Sequence, residues 1–125
     1  MKLQSDLHSG ANTITGYGDG YVEINKAPYA HAVLLSSDGA ISEWPVQAFD
    51  DLEPNHFAQM VDLKPELILI GTGSRQRFPK PELLKALIEA KIGFEIMDSQ
   101  AACRTYSILV GEGRQALLAL IVEPI

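Results

Sequence analysis

Two short stretches of this sequence carry residues that could do chemistry. Gly71-Thr72-Gly73-Ser74-Arg75 sets two glycines, two hydroxyls and a cation in one run, and successive backbone N–H groups in such a turn can form a concavity that suits an anion. Asp98-Ser99-Gln100-Ala101-Ala102-Cys103-Arg104 adds a carboxylate, a hydroxyl, a thiol and a second cation. The first run is neither a Walker A motif nor a dinucleotide fingerprint, because the third glycine and the Gly-Lys-Ser/Thr ending are missing. It also suits a plain turn between a strand and a helix, where glycine supplies backbone freedom.

The elements around these stretches bring them together. Leu67-Ile68-Leu69-Ile70 is four branched apolar residues without polar alternation, the pattern of a strand buried on both faces. After its turn, Pro81 starts a helix with Leu83, Leu84, Leu87 and Ile88 as its buried stripe. Glu82, Lys85 and Glu89 face water, and Gly93 is the expected stop. Phe94–Met97 is then a second strand, parallel to the first. Asp98 or Ser99 caps a helix running to about Val110, with Ala102, Tyr106, Leu109 and Val110 on its buried face and Cys103 at the border. Ala116–Val122, apolar throughout, is expected to be a central strand. Parallel neighbours end on the same sheet edge, where open α/β sheets bind ligands. The candidate ligand-binding set is therefore Gly71, Thr72, Gly73, Ser74, Arg75, Asp98, Ser99, Cys103 and Arg104. A purely structural account of that edge pairs Asp98 with Arg75 and lets Ser99 cap its helix.

The first half reads as hairpins. Thr13–Tyr17 and Tyr21–Ile24 flank Gly18-Asp19-Gly20, and His31–Leu35 and Ile41–Trp44 flank a turn containing Asp38-Gly39. Pro54 opens a short helix to about Val61, with Phe57, Met60 and Val61 on one face.

Catalytic patterns are incomplete. Cys103 lies past the first turn of its helix with no histidine near it in sequence, which favours a small buried hydrophobe over a thiolate. Ser74 lacks the Gly-x-Ser-x-Gly elbow, and no histidine follows His56. Glu95 and Asp98 are badly placed to act as a carboxylate pair. His8, His31 and His56 are too far apart for a zinc site, and His31 reads as a strand residue. No metal or cofactor is implied.

Length and composition limit the rest. The 125 residues are expected to form one domain spanning 1–125, and 46% hydrophobic with 21% charged residues is ordinary globular usage. A net charge of −6 argues against a nucleic-acid partner. One cysteine makes no internal disulfide, Met1–Gly20 lacks a signal-peptide core, and no run approaches the ~18 apolar residues that span a bilayer. The cytoplasm is the expected location, without membrane insertion.

Beyond these physical arguments, Ile-Gly-Thr-Gly at 70–73, Arg75, Phe78-Pro79, Gly93–Ser99, Ala101–Tyr106 and Glu112-Gly113-Arg114 resemble the Mth938-like domain family. The likeness is specific from Ile70 to Leu120 and loose before Trp44. Ser99 stands where threonine is common in small bacterial relatives, and Ser107 where asparagine is common. The resemblance implies an α/β fold, a compact three-layer domain with a mixed sheet, which agrees with the N-terminal β-hairpins and following βαβαβ unit read from the residues. It implies no activity, since the family was defined as a domain of unknown function. Its animal members include a mitochondrial assembly factor for respiratory NADH dehydrogenase. The first expectation is thus a non-catalytic module that binds protein partners or aids assembly. The second is a small anionic or nucleotide-like ligand, bound or transformed at the Gly71–Arg75 and Asp98–Arg104 edge.

Overall fold

The computed structural model describes residues 11–124, so His8 lies outside the described residues. β1 (Ile14–Gly18), β2 (Tyr21–Ile24) and β3 (Ala27–Tyr29) form a small antiparallel sheet. Gly18 pairs with Tyr21, so the expected three-residue loop is a two-residue turn, Asp19-Gly20, with Gly20 at φ +80. β3 escaped the sequence reading. It follows a turn in which Asn25 and Lys26 both take positive φ without glycine, and it contains Pro28. Proline is tolerated there because β3 is an edge strand that need not donate on its open side.

The larger sheet contains β4 (Val33–Ser36), β5 (Ile41–Glu43), β6 (Leu67–Gly71), β7 (Gly93–Met97) and β8 (Leu117–Leu120), in the order β5-β4-β8-β6-β7. β6 is parallel to both β7 and β8, whereas β4 is antiparallel to β5 and β8, which makes the sheet mixed. His31 lies in the bend before β4 rather than in the strand.

Strand periodicity divides the core into two layers. Leu34, Ile68, Ile70, Leu117 and Ala119 point to one face, against Trp44, Phe57, Met60, Leu84 and Leu87. Val33, Leu35, Leu69, Leu118 and Leu120 point to the other, against Val22, Ile24, Ala102, Cys103, Tyr106 and Leu109. The first face is covered by α1 (Pro54–Val61) and α2 (Lys85–Glu89), and the second by α3 (Ser99–Gly111) with the small sheet. The three layers are therefore helices, five-stranded sheet, and helix plus three-stranded sheet.

α1 begins at Pro54, and its entry is fixed by His56. Nδ1 of that ring accepts from the Glu53 N–H at 2.9 Å, so Nε2 carries the proton and donates to the Pro45 carbonyl at 2.8 Å. Both ring nitrogens are thus engaged by backbone. Trp44, fully buried, donates from Nε1 to the His56 carbonyl at 3.1 Å and meets the Phe57 ring edge-on.

The element after Pro81 differs from expectation. Pro81–Leu84 is a 3₁₀ turn, and only Lys85–Glu89 is α-helical. Tighter winding at its start rotates the stripe, so Leu84 and Leu87 are buried while Ile88 is 55% exposed. Gly93 does not stop it, because the chain turns at Lys91, whose φ is +59, and Gly93 opens β7. Lys85 and Glu89 face water as expected and form an exposed ion pair at 3.8 Å.

Candidate functional site

β6 and β8 run parallel, so the turn after β6, the start of α3 and the segment after β8 converge at one sheet edge. Gly71 sits where the chains approach closely. A Cβ there would stand 2.7 Å from Leu120 Cδ1 and 3.0 Å from Ser99 Oγ, so any larger residue would have to displace the Leu120 side chain and press on Ser99.

Ser99 ties the three segments together. Its Oγ accepts from the Gly73 N–H at 2.8 Å and donates to the Ile121 carbonyl at 2.6 Å, while its own N–H donates to the Gly73 carbonyl at 2.8 Å. The α3 cap is Asp98, whose carboxylate accepts from the Ala101 N–H at 2.8 Å. Ser99 is therefore a bridge rather than a cap, and Asp98 serves the helix instead of pairing with Arg75. Thr72, fully buried, donates from Oγ1 to the Arg75 carbonyl at 2.7 Å and accepts from the Arg77 N–H at 3.0 Å, which folds the turn back on itself.

The charged pair at this edge is one that sequence reasoning missed. Arg77 and Glu123 form a short, partly buried ion pair. Glu123 Oε1 also accepts from the Ser74 N–H at 2.8 Å and the Ser74 hydroxyl at 3.0 Å. Partial burial acts to raise the Glu123 pKa, but the two Ser74 hydrogen bonds and the Arg77 guanidinium outweigh it and hold the carboxyl below its ordinary value. Arg77 Nη2 donates to the Thr72 carbonyl at 2.7 Å, and its Cζ lies 5.1 Å from the Phe49 ring centroid. The available signal was Glu123 itself, an acid directly after an apolar strand, which only a parallel β8 brings to this edge.

A cavity of about 140 Å³ opens beside the pair. Its walls are Tyr17, Gly18, Tyr21 and Val22 from the first hairpin, Gly73 and Ser74 from the turn, Ser99, Gln100 and Cys103 from α3, and Leu120–Glu123. Four of the residues singled out from sequence, Gly73, Ser74, Ser99 and Cys103, thus meet around one space. Gly71, Thr72 and Asp98 stand behind it as supports. Arg75 is exposed on the turn, and Arg104 is exposed along α3, lining a separate groove with Ile14, Tyr17 and Ile108. Tyr17, Tyr21 and Gln100 were not anticipated.

Burial pushes the Cys103 thiol up from an ordinary 9.0 to about 12, with Arg104 opposing and Asp98 adding to the shift, so the sulfur stays protonated at neutral pH. The described residues hold no group of three or more metal-ligating side chains. No helix among them is long and apolar enough to cross a membrane.

Comparison with known proteins agrees with this architecture. A crystal structure of a Bordetella parapertussis protein is 41% identical, with a TM-score of 0.85 over 92% of this chain and 98% of that one. A solution structure of a Bordetella pertussis protein described as a Mth938-like domain is 35% identical, with a TM-score of 0.84 over 99% and 94%. Among curated proteins, the chain is 28% identical to the "13 kDa major membrane protein" of Francisella tularensis, covering 97% of this chain and 99% of that one. It is 32% identical to the Bos taurus "NADH dehydrogenase [ubiquinone] 1 alpha subcomplex assembly factor 3" over 84% of its length, and spans 57% of that relative. The profile of the family described as "Protein of unknown function (DUF498/DUF598)" matches residues 14–121. The chain belongs to that family, and its fold is that of the Mth938-like domain.

Proposed function

We propose that this chain is a non-catalytic binding module that helps assemble a larger protein complex, acting from the cytoplasm. The observation that carries the reading is its kinship, over 84% of its length, with a protein named as an assembly factor. The surface chemistry supports it. Tyr17 and Tyr21 are 38% and 41% exposed at the cavity rim, and Ile108 is 61% exposed in the adjoining groove. Aromatic side chains with a polar tip are enriched where proteins meet, because they bury apolar area at little entropic cost. A pull-down from the native cell tests the reading. A partner enriched over a charge-matched control, and lost with Tyr17→Ser and Tyr21→Ser, is expected. No enrichment, together with normal membrane-complex assembly in a deletion strain, would remove it.

The cavity favours a second reading, a small anionic or nucleotide-like ligand held among Gly73, Ser74, Ser99 and Cys103. Phosphate-bearing metabolites at millimolar concentration would then raise the melting temperature by mass action. A flat response across such a panel counts against it.

A further inference from the structure

The turn after β6 already holds an oxyanion, and the chain supplies it. Ser74 N–H, Ser74 Oγ and Arg77 Nη2 converge on one oxygen, Oε1 of Glu123. These donors are positioned by groups other than Glu123. Arg77 is anchored through Nη2 to the Thr72 carbonyl, through its N–H to Thr72 Oγ1, and against the Phe49 ring. The Gly73 N–H is fixed by Ser99 Oγ, which sets the direction of the peptide that follows. Gly73 has φ +106, and a Cβ on it would overlap both the Glu123 carboxylate and the Arg77 guanidinium. The turn is thus shaped to admit a carboxylate against bare backbone. Glu123, by contrast, lies beyond the end of β8, on a segment outside the strand. The cavity beside it is lined by Gly73, Ser74 and Glu123, so a ligand entering that space meets Ser74 and the carboxylate that covers Arg77 Nη2, and reaches the guanidinium once that carboxylate moves aside.

We propose that Ser74 and Arg77 form an oxyanion seat occupied in cis by Glu123, and that a ligand carboxylate or phosphate binds there by exchanging with the Glu123 side chain. This rests on the small-anion reading of the edge and adds its mechanism. An internal occupant lowers the apparent affinity for an external one by the fraction of time the seat is empty. Removing the occupant should therefore reveal the site.

The test is thermal unfolding in acetate or inorganic phosphate, with sodium chloride holding ionic strength constant, for the wild-type chain, Glu123→Ala, and Glu123→Ala combined with Arg77→Ala. Exchange predicts a saturable rise in melting temperature for Glu123→Ala at a half-saturating concentration at least about tenfold below that of wild type. The double variant should lose the rise. The acetate and phosphate arms show which oxyanion the seat prefers. Equal half-saturation in wild type and Glu123→Ala would overturn exchange and leave the small-anion reading standing. No saturable rise in either protein would overturn both. If Glu123→Ala does not fold, Glu123→Gln keeps an acceptor for Ser74 but removes the charge beside Arg77. It should show the same ordering at smaller amplitude, and no gain over wild type would overturn the proposal.

Discussion

Replacing Ser99 by alanine separates a bridging serine from an ordinary first residue of a helix. In the helix alone the change is neutral or favourable, because alanine is the better helix former by about 0.5 kcal/mol. In this structure the lost hydroxyl accepts from Gly73 N–H at 2.8 Å and donates to the Ile121 carbonyl at 2.6 Å. Gly73 and Ile121 are both buried, but each also lines the cavity, so a water entering there brings the cost toward the lower end of the range. Leaving a buried donor or acceptor unpaired costs about 1–3 kcal/mol. The two groups together, less the propensity gain, give a net loss of about 1.5–5.5 kcal/mol. Urea unfolding should show this as a lower midpoint with an unchanged slope. Asp98→Ala is the control, since it removes only a cap bond and should cost about 1 kcal/mol. A Ser99→Ala protein within about 0.5 kcal/mol of wild type, or less perturbed than Asp98→Ala, would refute the bridge.

Other outcomes follow from the same edge and its surroundings. Cys103 should label slowly with a thiol reagent in the native state, because a rise from 9.0 to about 12 lowers the thiolate fraction about a thousandfold, and quickly once the chain unfolds. Fast native labelling would overturn its burial. The Glu123 carboxyl is held below its ordinary value, so its contribution is present above the unfolded pKa and is lost as pH falls through the folded one. Glu123→Gln should therefore be less stable at neutral pH and lose less on acidification, as read by melting temperature against pH. Arg75→Ala and Arg104→Ala, both exposed, should cost at most ~1 kcal/mol in folding while weakening partner binding. Arg77→Ala should cost about 1–3 kcal/mol, because it removes the Thr72 contact and takes the guanidinium away from Glu123, which keeps only its two Ser74 donors.

What the sequence disclosed was whatever depends on local pattern. β6 and β8 were visible as unbroken apolar runs, α1 through its proline start, and α3 through its polar cap region and buried stripe. Ile88 and the stop at Lys91 were not, because a 3₁₀ start and a left-handed lysine leave no compositional mark. β3 was hidden by a hairpin turn built without glycine. At the site, Ser74 and Ser99 stood out by type, but Arg77 and Glu123 are paired across 46 residues. Only the direction of β8 brings that acid to the turn, and direction is a property of the whole sheet. Tyr17 and Tyr21 reach the cavity through the packing of the small sheet on α3, which no local pattern encodes.

The strand order also bears on how the molecule is made. β8, the last strand among the described residues, is the middle of the larger sheet, between β4 and β6. During synthesis β4, β5, β6 and β7 all emerge before the strand that joins the two pairs. Each then displays an unpaired apolar edge, that of β4 with Val33, Leu34 and Leu35 and that of β6 with Ile68, Leu69 and Ile70. Such edges are templates for pairing with other chains. Closure waits for Leu117–Leu120 and depends on contacts distant in sequence, which form slowly. The nascent chain is thus most vulnerable to aggregation before β8 appears, and a ribosome stalled there would leave the edges of both β4 and β6 without their central partner.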